Sequence, residues 1–394
     1  MTNAEIIALA ERYLFPTYAR APLALVGGEG TRVWDADGRR YLDFFSSTVV
    51  TCLGHQHPAI VRAIEAQARR ILHVSNLHYC EPQARLAERL ATGSFADRVF
   101  LCNSGAEANE AAIKLARRYG HAQGGGRYEI ITALNSFHGR TLATLAATGQ
   151  EKIRVGFEPL QAGFCYAAYD DIGAIERALS PRTIAVMVEP VQGEGGIIAP
   201  DPAYFQALRA LCDRHGLLLI FDEIQTGMGR TGTLFAYQQL GVTPDVMTLA
   251  KGLGGGVPIG AMLASEDVAG ALDRGSHGST FGGNALTCAV ALAVFDVLES
   301  EGVLANAQAM GARLRAGLLA LAAKHSQIAA VRGRGLLLGA ALTEPGAPVV
   351  ERCLARGLII NCTVNTVLRL TPPLTVSADD VDEALALLDE GLGA

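Results

Sequence analysis

Short apolar runs alternate with longer stretches of helical periodicity along most of the chain. Residues 217–221 (LLLIF) are uniformly apolar and lie between Gly216 and the acids Asp222 and Glu223. So short a run predicts a strand buried on both faces, as in a parallel sheet. Residues 99–102, 129–134, Thr183–Val188 and 246–250 predict further strands. Between them, residues 58–72 carry Ile60, Ile64, Ala68 and Ile71 at helical spacing behind Pro58. Helices are also predicted over 81–90, from Ala106 onward in an Ala/Glu/Lys-rich stretch, and over 203–214. Strands alternating with helices predict an α/β fold built on a large, doubly wound, mostly parallel sheet.

The two ends of the chain read differently. Residues 1–20 predict an amphipathic helix broken at Pro16, and two strand-like runs within 26–46 flank the turn Asp35-Ala36-Asp37-Gly38. Beyond residue 285 come a long apolar helix (285–300), a second helix (305–323), strand and turn over 331–342, and strands over 357–362 and Val367–Leu370. A closing helix over 379–388 has Ser377 as its N-cap.

The candidate chemistry lies where apolar runs end. Ligands of open α/β sheets bind beyond the carboxyl ends of strands. Asp222 follows one run, and Lys251 follows another and opens the sequence GLGGG. A desolvated lysine can attack a carbonyl, and a buried aspartate can hold a protonated ring nitrogen. That pairing points to pyridoxal phosphate. Taken singly, the two residues are more often a helix cap and a surface lysine. A strand, then Asn103-Ser104-Gly105, then a helix start forms an anion site from free backbone N–H groups, although an ordinary capped helix has the same appearance. The loop EPVQGEGG adds Glu189 and Glu194 at the same sheet edge. GLGGG lacks the GxGxxG spacing of a dinucleotide loop. Cys52, His55 and His57 match no zinc spacing, so no metal is expected.

Composition narrows the setting. The 394 residues are 50% hydrophobic with a net charge of −6, which argues against a nucleic-acid or membrane partner. No apolar run reaches the length of a membrane span, and the amino end lacks the pattern of a signal peptide. Eight scattered cysteines without a CxxC pair suggest reduced thiols in the cytoplasm.

Two blocks, DEIQTGMGRTG (222–232) and AKGLGGGVPIGAML (250–263), resemble the aspartate and lysine blocks of class III (ornithine-type) aminotransferases. These are fold-type I enzymes dependent on pyridoxal 5'-phosphate, and the resemblance runs from YLDF near 41 to LRLTPPL near 368. It implies a small α+β domain formed from both chain ends, with 1–45 packing on that domain, 46–285 forming the large domain and 286–394 the small one. By the same resemblance, Lys251 and Asp222 are the catalytic pair, and Gln225 lies near the ring hydroxyl. Ser104, Gly105 and Ala106 bind phosphate, and Phe137 stacks on the ring. His138, Glu189 and Ile224 complete the cofactor shell. Thr280 reaches the partner subunit's cofactor in a homodimer with composite sites, and Arg140, Glu194, Ser279 and Arg369 bind substrate.

The blocks LHVSNLHYCEPQ, FHGRTLATLAATGQEK and VEPVQGEGG look most like the acetylornithine and succinylornithine branch of this family. The reaction implied is ping-pong transfer of a distal amine to 2-oxoglutarate, yielding glutamate. Ornithine, 4-aminobutyrate and N-succinyl-diaminopimelate remain alternative donors. An aminomutase and an inactive binding protein are the competing classes. Ser46-Ser47, Cys52, Cys80 and Ala285 depart from the usual family residues.

Overall fold

A computed structural model describes residues 1–393. Its central sheet has seven strands in the order Arg98–Cys102, Gly260–Ala264, Val246–Leu249, Leu218–Asp222, Thr183–Val188, Glu129–Ala133, Phe164–Ala167. The last five of these are mutually parallel. Gly260–Ala264 runs antiparallel to both of its neighbours. Two reversals restore the direction, so Arg98–Cys102 ends at the same edge as the parallel strands. Register completes the alignment: Phe221 faces Val188 and Asp222 faces Thr248. Glu189, Asp222, Lys251 and the turn after Cys102 therefore converge on one edge of the sheet.

The helix Gly105–Ala122 lies on this sheet through Ala108, Ala111, Ala112, Leu115 and Ala116, all fully buried. Small residues bring its axis close to the strands. Fully burying a side chain such as Leu115 stabilises the fold by about 2 kcal/mol. Two smaller sheets flank the large one. One is antiparallel, in the order Ile328–Arg334, Leu337–Leu342, Val367–Leu370, Asn361–Thr363. It packs with the helices Val303–Lys324 and Ala347–Arg356, and the former also packs against Ala378–Gly393. The other joins Leu25–Glu29, Arg32–Asp35 and Arg40–Asp43 to Leu358–Ile359, which runs parallel to Arg40–Asp43.

Several local expectations change. The strand expected over 357–362 splits at Ile360, so that one half pairs with the amino-terminal sheet and the other with Val367–Leu370. The helix expected over 58–72 stops at Ala68. The first helix, Asn3–Tyr13, is capped by a Thr2–Glu5 capping box but buries no residue. Strand Gly260–Ala264 was hidden because its residues read as part of the lysine block. The φ/ψ angles also reveal a left-handed turn: Ser46, Ser47, Thr48 and Val49 have φ of 46°, 51°, 60° and 62°. Among the described residues, no helix is long and apolar enough to cross a membrane.

Candidate active site

A cavity of about 460 Å³ opens at the carboxyl edge of the large sheet. Ser104, Gly105 and Ala106 line one wall, and Phe137, His138 and Arg140 line another. Glu189, Asp222, Ile224, Gln225 and Lys251 form the floor. Eleven of the residues singled out in the sequence thus meet in one place.

The wall at 104–106 is a helix start. Ser104 caps it, its hydroxyl accepting from Glu107 N–H at 3.2 Å. The N–H groups of Gly105 and Ala106 lie in the first turn and have no intrahelical acceptor. A Cβ at Gly105 would come within 2.6 Å of Ile224 Cδ1. Glycine there keeps the backbone open beside Ile224, as a phosphate cradle requires.

Asp222 is buried, and its carboxylate accepts on both oxygens. Asn109 Nδ2 donates to Oδ2 at 2.8 Å, His138 Nδ1 lies 2.8 Å from the same oxygen, and Ile224 N–H donates to Oδ1 at 3.1 Å. An ionised carboxylate can only accept, so His138 carries its proton on Nδ1. Oδ1 keeps spare acceptor capacity toward the cavity. Glu189 accepts from Phe137 N–H at 3.1 Å. Burial, and then the charge of Asp222, hold its carboxyl well above the usual carboxylate range. Glu223 faces away from the cavity and accepts from the N–H groups of Ala236 and Tyr237 at 2.7 and 2.8 Å, anchoring the loop after Asp222. Burial raises its pKa to about 7.

Lys251 follows strand Val246–Leu249 with φ of 45°, a left-handed conformation that is strained for a lysine. Its amine carries no ion pair among the described residues. Burial lowers its pKa to about 8, with Glu194 partly opposing that shift. Such an amine is a competent nucleophile near neutrality.

Glu194 and Arg369 do not line this cavity but adjoin it. Arg369 Nη1 donates to Glu194 Oε1 at 2.5 Å, and Gln225 Nε2 donates to the same oxygen at 3.1 Å. Arg369 is also tied to Asn361 Oδ1 at 3.0 Å. Burial pushes Glu194 up, but the charge and hydrogen bond of Arg369 outweigh it, and the net pKa is lowered. Arg140 is different: it is exposed, forms no ion pair among the described residues, and lies 5.7 Å over the Phe137 ring. The cavity thus adjoins one latched cation and one free cation.

Ser279 accepts from Asn103 Nδ2 at 3.1 Å and Thr280 is exposed; neither lines the cavity of this chain. Sequence reasoning missed Asn109 and Thr248. A signal was present, since Asn109 is a polar residue on the alanine face of its helix, and a buried amide must find partners.

The residues fit pyridoxal phosphate. Gln225 Oε1 is a buried acceptor with no partner on the cavity wall, Lys251 presents an unpaired amine, and the 104–106 turn offers free N–H groups beside a glycine. Comparison with known proteins agrees. Residues 15–392 match the family described as aminotransferase class-III. The chain is 50% identical to the acetylornithine aminotransferase of Caldanaerobacter subterraneus subsp. tengcongensis over 98% of this chain and 99% of that protein. It is 48% identical to that of Methanocaldococcus jannaschii over 99% and 98%. The crystal structure of the ornithine aminotransferase from Toxoplasma gondii superposes with a TM-score of 0.96 at 34% identity, covering 100% of this chain and 95% of that one. This chain belongs to the class-III aminotransferases and is a pyridoxal-phosphate-dependent enzyme that passes an amino group from a donor to a keto acid.

Proposed function

We propose that the chain transfers the δ-amino group of N-acetylornithine to 2-oxoglutarate, giving N-acetylglutamate 5-semialdehyde and glutamate. The observation that carries this reading is the pair of cations at one cavity: Arg140 free, Arg369 latched by Glu194. N-acetylornithine brings one carboxylate, far from the reacting carbon. Glutamate brings two, one of them next to it. A site serving both needs a second cation that appears only for the dicarboxylate. The 50% identity to a named acetylornithine aminotransferase supports the donor.

Bound cofactor supplies the aldehyde that accepts the amine and the electron sink that stabilises negative charge at the reacting carbon. The protein does the rest. Gly105 and Ala106 N–H groups would hold the phosphate, with the Ser104 hydroxyl assisting once it turns from Glu107 Oε2, to which it donates at 3.0 Å. Phe137 and Ile224, both on the cavity wall, would hold the ring. Asp222 keeps the ring nitrogen protonated, since an adjacent anion favours the charged form. Gln225 and His138 fix the ring's edge and its aspartate, and Glu189 closes the floor. With cofactor bound, the free Lys251 amine would move the proton between the two carbons as general base and then acid. A pKa of about 8 keeps a useful fraction unprotonated. Arg140 binds the lone carboxylate of N-acetylornithine through a two-pronged contact, with Ser279 at the entrance. For glutamate, the α-carboxylate replaces Glu194 on Arg369. One charge-assisted bond is exchanged for another, so the net cost is small.

The exposed Thr280 completes the cofactor site of a second copy, making the working unit a homodimer. All eight cysteines are unpaired, in keeping with a cytoplasmic enzyme. The test is a half-reaction titration. Cofactor-loaded protein is mixed with N-acetylornithine, N-succinylornithine, ornithine and 4-aminobutyrate, and loss of the cofactor's visible band is followed. N-acetylornithine should discharge the band fastest at equal concentration; faster discharge by N-succinylornithine, ornithine or 4-aminobutyrate refutes the donor.

A further inference from the structure

Asn109 sits in the first turns of the helix Gly105–Ala122, three residues after the phosphate cradle at 104–106, and is fully buried. Its side chain touches three other elements. Nδ2 donates to the backbone carbonyl of His138 at 2.7 Å and to Asp222 Oδ2 at 2.8 Å. Oδ1 accepts from the hydroxyl of Thr248 at 2.7 Å. The amide cannot be turned round. Both a carbonyl and a carboxylate demand a donor, so the amine must face them and the carbonyl must face Thr248. Thr248 lies opposite Asp222 in the sheet and three residues before Lys251.

We propose that Asn109 is a positioning residue for Asp222, and that Thr248 in turn fixes Asn109. Together Asn109 and His138 crowd two donors onto Oδ2. That anchors the carboxylate's plane and leaves Oδ1, with its single N–H partner, to face the cofactor's ring nitrogen. One amide thereby couples the cradle helix, the strand leading to Lys251 and the aspartate. The titratable groups around Asp222 are His138 at 2.8 Å and, through the same cluster, Glu189, Glu223 and Lys251. None of them can replace the amide, because none shares both its neighbours. The inference rests on the assignment of Asp222 to the ring nitrogen.

The test uses the loaded dimer and four variants: Asn109→Leu, Thr248→Val, Thr248→Ser and Asp222→Asn. Leucine keeps the branching and heavy-atom count of Asn109 and removes its hydrogen bonds. Valine keeps the branching of threonine and removes the hydroxyl that anchors Asn109 Oδ1, loosening the amide while its two donor contacts remain. Serine keeps the hydroxyl. Three readouts apply: the pH midpoint of the cofactor's visible band, the cofactor dissociation constant, and kcat against KM. When the ring nitrogen loses its proton, a positive charge disappears near the Lys251 linkage, and protonation of that linkage becomes easier. Asn109→Leu and Thr248→Val should therefore raise the midpoint by about 0.5 unit or more. They should lower kcat about tenfold, the size of one hydrogen bond to a charged group, with KM for both substrates within about twofold. Thr248→Ser should restore the wild-type midpoint. If Asp222→Asn moves the midpoint and Thr248→Val does not, the positioning role of Asn109 is wrong and the Asp222 assignment stands. If Asp222→Asn also leaves the midpoint and cofactor affinity unchanged, both fall. Thr248→Val reads the geometry even if Asn109→Leu fails to fold, because it removes one buried hydrogen bond and leaves the amide's contacts to Asp222 and His138 in place.

Discussion

Replacing Glu194 by glutamine isolates the charge of the proposed latch. The amide keeps an acceptor in the place of Oε1, so the contacts from Arg369 Nη1 (2.5 Å) and Gln225 Nε2 (3.1 Å) can persist. Only the charge is lost. With side chains 2% and 28% exposed, the pair sits mostly out of water. The bare Coulomb energy at that separation, about 7 kcal/mol at an effective dielectric of 20, overstates the interaction because desolvation opposes it. The difference between a charge-assisted and a neutral hydrogen bond is the better guide, at about 1–1.5 kcal/mol. Opening the latch for glutamate becomes easier by that amount. The rate constant for discharge by glutamate at limiting concentration should rise about tenfold, while N-acetylornithine gains nothing. A second readout comes from Lys251, whose pKa Glu194 raises. Without that charge it should fall below about 8. Stopped-flow absorbance on each half-reaction separately, with the pH dependence of cofactor capture by cofactor-free protein, tests both effects. Equal changes in the two half-reactions would show that Glu194 and Arg369 form a fixed structural pair, and the switch would be abandoned.

Three further outcomes are expected. Cofactor capture by cofactor-free wild-type protein needs the neutral amine, so its rate should rise with pH and reach half its maximum near 8, where an ordinary lysine would do so near 10.5. Lys251→Ala should bind cofactor without that profile and without turnover. Ser47→Gly should raise stability by about 1 kcal/mol and Tm by about 1 °C, because Ser47 is exposed and its φ of 51° suits glycine; calorimetry showing a lower Tm would mean that the left-handed turn relies on the serine side chain. Thr280→Ala should weaken cofactor binding without lowering the solution mass, and a light-scattering mass of one chain for an active enzyme would remove the composite-site argument.

The strained turn at 46–49 shows where local reading ends. Nothing in Ser-Ser-Thr-Val calls for left-handed backbone, which costs an L-residue roughly 1–2 kcal/mol. The segment is pinned on either side by partners far along the chain, Thr371 N–H donating to Phe44 O at 2.7 Å, the Thr371 hydroxyl to Phe45 O at 2.9 Å, and Leu374 N–H to Cys52 O at 2.7 Å, while Asp43 Oδ1 accepts from Ser46 N–H at 2.8 Å at its start. The split of the strand near Ile360 has the same origin. Its pattern of apolar residues announces an extended segment, but which sheet accepts each half depends on neighbours outside it.

What sequence alone determined was whatever a side-chain period or a short motif encodes. The uniformly apolar runs specified buried parallel strands, and their last residues marked the edge where Asp222 and Lys251 stand. The helix after Ser104 was evident from its cap and composition. The tertiary structure alone decided the pairings that make these residues work. Asn109 meets Asp222 across 113 positions and Glu194 meets Arg369 across 175. The resemblance anticipated the second pairing; no local feature anticipated the first. A hydrogen bond is a matter of a few tenths of an ångström and a direction, and register between strands distant in sequence sets both. The depressed pKa of Lys251 follows the same rule, because burial by the assembled fold removes the water that would stabilise its charge.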